Sequence, residues 1–141
     1  MDFTPGGGMH TVGWNANHLA DIAGWATSMI LEHDELDLAP PGGEPMTTPE
    51  ATDPAEIVKT FDANLAQSRA AIAAASDEKL AEPWTLKYGG HSLFTMPKGD
   101  VLRTWVVMHC VHHTAMLTSH LRLAGVELGS MFEEMPGTPT S

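Results

Sequence analysis

Cysteine occurs once in this chain, at position 110, so no disulfide can close within it and its thiol usage fits a reducing compartment. Basic residues are nearly as scarce: seven Lys and Arg stand against 18 Asp and Glu, a formal net charge of −11. A chain so poor in cations has little with which to neutralise phosphates. That argues against nucleic acid and against an anionic membrane surface as partners. No apolar run approaches the roughly 18 residues that span a bilayer. The first residues, with Gly6-Gly7-Gly8, lack the charged and apolar regions of a signal peptide. A cytoplasmic location and a small-molecule partner are the expectations left. The 141 residues, 43% of them hydrophobic, suffice for one domain, residues 1–141, with a real core.

Apolar periodicity predicts three long helices. The first runs from about Thr11 or Val12 to about His33, with Thr11, Asn15, His18, Ile22, Trp25 and Met29 on its inward stripe. Gly13 and Gly24 fall inside it and suit close packing against a neighbour. An acidic, proline-rich linker follows, Asp34 to Pro49, broken at Pro40-Pro41-Gly42-Gly43. Asp53 and Pro54 mark the start of the second helix, as a capping carboxylate and a first-position proline. Its stripe reads Ile57, Phe61, Leu65, Ile72, and it ends near Ser76. Residues 84–96 read as a hairpin around Gly89-Gly90. The last helix spans about Asp100 to Gly125, a C′ glycine with Arg122 in the final turn. The tail from Glu127 to Ser141 reads as irregular. The expected fold is all-α, a helical bundle of three long helices with a short hairpin before the last.

His109 and His113 lie within the stripe Leu102, Val106, His109, His113, Met116 of the last helix. Four residues apart on a helix, their Cβ atoms project from one face about 5–6 Å apart, a spacing that suits two nitrogens converging on one ion. Polar rings on a buried face need partners. A hydrogen-bonded core histidine beside a marginal one answers that need as well as a metal does. His18 interrupts the first helix's stripe in the same way. Two helices facing each other would then supply three imidazoles, the ligand count of a catalytic metal site with one open position.

The stretch HCVHHTAMLTSHLRLAG, residues 109–125, resembles the end of the last helix in the DinB-like (YfiT-type) family of four-helix metalloproteins. In that family an H-x3-H pair is followed by R-G-Q and a leucine-arginine ending. His109 and His113 match the pair, and Leu121-Arg122-Leu123-Ala124-Gly125 matches the ending. NANHLADIAGW is similar to the earlier helix that carries the third ligand, so the resemblance gives that role to His18. LFTMPKGDVLRTW is a similar lead-in, and the likeness covers roughly residues 9–135. Two departures stand out. Thr114-Ala115-Met116 replaces R-G-Q, which weakens the case for an anionic cofactor held there. The family's leading helix has no counterpart before Met9. A three-helix body would leave a groove of several hundred Å² open, so a homodimer is expected, built on the first and last helices.

Other residues carry two readings each. Asp21 is an orienter or general base near the metal, or a solvated helix residue. Asn15 hydrogen-bonds substrate or metal water, or simply fills the stripe. His112 is expected partly exposed or in an outer role beside His113, and His120 to line the same cavity or bond locally. His33 and His91 are expected at the surface. Cys110 is expected to be a buried inert thiol. The resemblance implies a divalent ion, Zn2+ first with Ni2+ or Fe2+ as alternatives. It also implies thiol transfer from a low-molecular-weight thiol, or else metal-dependent hydrolysis; a non-enzymatic, metal-stabilised bundle that binds ligands or senses stress is the competing reading from a different class.

Overall fold

The computed structural model describes residues 1–129, and the expected irregular tail lies largely outside them. Helix α1 (Val12–Ile22) is followed by a π-helical stretch, π1 (Ala26–Leu31). Strand β1 (Glu35–Asp37) comes next, then the long α2 (Pro54–Ala74) and the short α3 (Asp77–Ala81). Strands β2 (Pro83–Tyr88) and β3 (His91–Pro97) form a hairpin. The last helical run comprises α4 (Lys98–Val101), a second π-helical stretch π2 (Leu102–Val107) and α5 (Met108–Leu123). None of the described helices is long and apolar enough to cross a membrane.

The all-α expectation is overturned. A three-stranded mixed sheet, ordered β1-β2-β3, packs against the helices. The hairpin lies where the sequence placed it, with Gly89 and Gly90 at φ 60° and 81° in its turn. The third strand comes from the segment read as linker. Glu35, Leu36 and Asp37 pair in parallel with Thr85, Leu86 and Lys87, and α2 makes the long crossover that parallel pairing needs. Asp37 then reaches the turn, accepting from Gly89 N–H at 3.0 Å and Gly90 N–H at 2.7 Å. Trp84 and Leu86 point into a core of Ile22, Trp25, Ile30, Val101, Leu102 and Val106.

The first helix is not continuous, and α2 supplies the reason. Asn64 donates to the Ala20 carbonyl at 2.9 Å and Ser68 to the Ala23 carbonyl at 2.6 Å. Side chains inserted at these carbonyls compete with the i→i+4 ladder, and the chain leaves it just there. A Cβ at Gly24 would lie 3.1 Å from Asn64, so the glycine permits this approach. In the last helical run Thr104 takes the Asp100 carbonyl in the same way, at 2.7 Å, inside π2. The face α2 turns inward is therefore Ile57, Phe61, Asn64, Ser68 and Ala71, a helical stripe with two polar members. Leu65 and Ile72, expected inside, are exposed. Other end signals hold. Asp53 caps α2 through Ala55 N–H. Gly125 N–H bonds the Arg122 carbonyl and Val126 N–H the Leu121 carbonyl, a paired C-terminal cap with Gly125 at φ +83°.

Candidate metal centre

Helix α1 lies between α2 and α5 and exposes none of its residues. Its packing on α5 brings His18 to His109 and His113. The ring centroids are 5.2 Å apart for His18–His109, 4.6 Å for His18–His113 and 4.8 Å for His109–His113. One nitrogen from each ring falls within 4.8 Å of the others. The Nε2 atoms of His109 and His113 are 3.0 Å apart. Two nitrogens on one tetrahedral ion, at bonds of about 2.1 Å, would lie about 3.4 Å apart. Among the described residues this is the one such group of metal-binding side chains.

The electrostatics suit ligation. Burial lowers His18 to about 4, helped by the neighbouring His113 and His109. His113 is also lowered to about 4, by burial and then by His109. Burial lowers His109 as well. His18 and His113 thus stay neutral, with lone pairs to give, well below pH 7. Each is steadied from outside. Thr48 Oγ1 shares a hydrogen bond with His18 Nδ1 at 3.2 Å, Asn15 Oδ1 lies 3.1 Å from His113 Nδ1, and the Trp105 backbone one turn back favours a proton on His109. Outer partners of this kind fix ring orientation in metal sites. Trp14 packs on His18, and Trp25 meets His18 and His109 edge-on, so the apolar shell restricts water.

A cavity of about 440 Å³ opens beside His18 and His109, walled by Trp25, Trp105, Leu38, Met46 and Tyr88. Asp21 lines it, with Oδ2 accepting from Trp25 Nε1 at 3.0 Å. Burial pushes its carboxyl up from the usual range. No Lys or Arg lines this cavity.

The other candidates separate clearly. Asn15 is fully buried and does not line this cavity. His120 is buried beside Asn15 rather than in the cavity, with Nδ1 3.4 Å from the Asn15 amide nitrogen. His112, His33 and His91 are exposed. Cys110 is half-buried, its thiol pushed up by burial, and lines a different cleft on α5. Thr48 and the pocket walls Leu38 and Met46 were not singled out from sequence. They sit in the irregular segment before α2, where no periodicity marks an inward residue.

Three imidazoles from two facing helices, beside an aromatic cavity, make a group that could hold one metal ion. A family model of the DinB superfamily matches residues 1–117, and the chain belongs to that superfamily. No curated protein and no solved structure matches it.

Proposed function

We propose that this protein is a divalent-metal-dependent enzyme acting on a small, largely apolar molecule, with thiol transfer as its reaction class. The observation that carries the reading is the convergence of His18, His109 and His113, two of which, His18 and His109, line a cavity that Asp21 also lines. His18, His109 and His113 would hold the ion. Bound there, a divalent cation such as Zn2+, Ni2+ or Fe2+ lowers the pKa of a coordinated water to about 7 or favours thiolate over thiol. Trp25, Trp105, Leu38 and Met46 would receive the apolar body of the electrophile. As the thiol sulfur bonds the electrophilic carbon, the leaving group departs with its electron pair. The thiol proton passes to the Asp21 carboxylate.

Hydrolysis is the second reading, favoured by one observation. With no Lys or Arg on the cavity wall, a carboxylate-rich thiol finds no counter-charge there, whereas water needs none. The same Asp21 then accepts the proton of water. Metal-loaded and chelator-stripped protein, run against thiol-conjugation and ester- or amide-hydrolysis panels, tests both. Activity should follow the metal. Turnover unchanged after stripping would remove metal-assisted chemistry; no turnover with or without metal would leave ligand binding. In whichever reaction is found, Asp21→Asn should lower kcat by about 100-fold, as loss of a general base does, with KM little changed. A kcat within a factor of about two would reduce Asp21 to a wall residue.

A homodimer is proposed as the assembly. Val111 and Leu123 on α5 are 58% and 66% exposed. A cleft of about 520 Å³ runs along the same helix at Val111, Thr114, Ala115 and Thr118. With no residue of α1 exposed, the proposed interface is drawn on α5 rather than on both helices. Light scattering behind a sizing column should give twice the 15.1 kDa chain mass. A monodisperse monomer at micromolar concentration would contradict it.

A further inference from the structure

We infer that Asn15 is a positioning residue that selects the ring tautomer of His113, and with it the nitrogen His113 offers to a metal. This rests on the three-histidine reading above. One side of the Asn15 amide lies 2.9 Å from the Thr11 carbonyl, which can only accept. The nitrogen must therefore be on that side, where it also faces His120 Nδ1 at 3.4 Å and the His10 carbonyl at 3.5 Å. The oxygen is left facing His113 Nδ1 at 3.1 Å. An amide oxygen accepts, so Nδ1 of the neutral ring must carry the hydrogen.

His113 Nε2 is then a bare lone pair, aimed at His109 Nε2 3.0 Å away. With metal, both lone pairs turn to the ion. Had Asn15 been an apolar residue, His113 would be free to place its hydrogen on Nε2 and donate it to His109. That tautomer must be undone before the ring can ligate. Asn15 has no exposed surface, and its carbonyl and both N–H groups are taken up. Thr11, the residue that caps α1 through Trp14 N–H, thus also holds the clamp by its carbonyl.

The test uses long-range proton–nitrogen spectra of the histidine rings in metal-free protein, with Zn2+ affinity measured by competition against a chromophoric chelator. Wild-type His113 should show the Nδ1–H form. Asn15→Leu should shift it toward Nε2–H and weaken Zn2+ binding about 10–100-fold, the range for loss of an outer partner. Asn15→Asp keeps an acceptor and should retain the tautomer, with affinity within a few-fold of wild type. Should Asn15→Leu fail to fold by circular dichroism, Asn15→Ser, too short to reach the ring, replaces it with the same expectation. An Nε2–H form in the wild type, or an apolar variant keeping both tautomer and affinity, overturns the inference. A wild type that binds no Zn2+, yet whose tautomer follows residue 15, upholds the tautomer assignment and overturns the metal reading.

Discussion

Substituting His109→Ala or His113→Ala should lower divalent-metal affinity by more than about 100-fold, beyond the loss expected for any outer partner. Each removes one of two nitrogens that already stand 3.0 Å apart. The remaining pair, His18 with one α5 histidine, cannot close a three-ligand site. His120→Ala and His91→Ala should keep the metal. His91 is exposed, and His120 touches the site only through Asn15. Zn2+ titration with chelator competition reads all four. A His109→Ala protein holding the ion as tightly as wild type would show that His109 belongs to the wall and not to the ligand set.

Acid should unfold the metal-free protein earlier than its carboxylates alone would dictate. His18 and His113 stand at about 4 in the folded chain against an ordinary 6.5. An unfolded chain therefore binds more protons than the folded one across that window, so stability is complete above about pH 6.5 and falls as pH drops toward 4. Asp21, pushed up by burial, works in the opposite sense. After allowance for solvent around the part-exposed His18, the loss is on the order of 1–3 kcal/mol. Denaturant midpoints of metal-free protein at pH 7, 6, 5 and 4.5 measure it, and replacing His113 by Asn should flatten the curve. A midpoint unchanged from pH 7 to 5 in the wild type would contradict the buried, neutral imidazoles. Bound metal should hold the midpoint up further into acid, because protons compete for these nitrogens only near pH 4.

The parts legible in the sequence are those governed by local periodicity and end chemistry. Four-residue spacing inside an apolar stripe marked His109 and His113 as inward neighbours. The same reasoning, with the family resemblance, reached His18. Asp53-Pro54, Gly89-Gly90 and Gly125 each announced a cap or turn by backbone chemistry that a few residues determine. Strand β1 was hidden for the opposite reason. Three residues, Glu35 to Asp37, carry no alternation to read, and their partner strand lies beyond the whole of α2. The inward face of α2 was misread because Asn64 and Ser68 dock on carbonyls of the first helix, and no apolarity scale rewards a polar residue for that. Asn15 was visible as an inward polar residue, but its partners His113 and His120 lie on α5, far along the chain. Its role became readable only once both helices were in place.

The central claim is that His18, His109 and His113 form one metal site. Elemental analysis of full-length protein, purified without a metal-affinity tag, tests it most directly. Close to one equivalent of a divalent metal per chain is expected, falling to background in His18→Ala, His109→Ala and His113→Ala alike. Wild-type protein that neither carries nor takes up a stoichiometric ion, or a His18→Ala protein that retains a full equivalent, would contradict it.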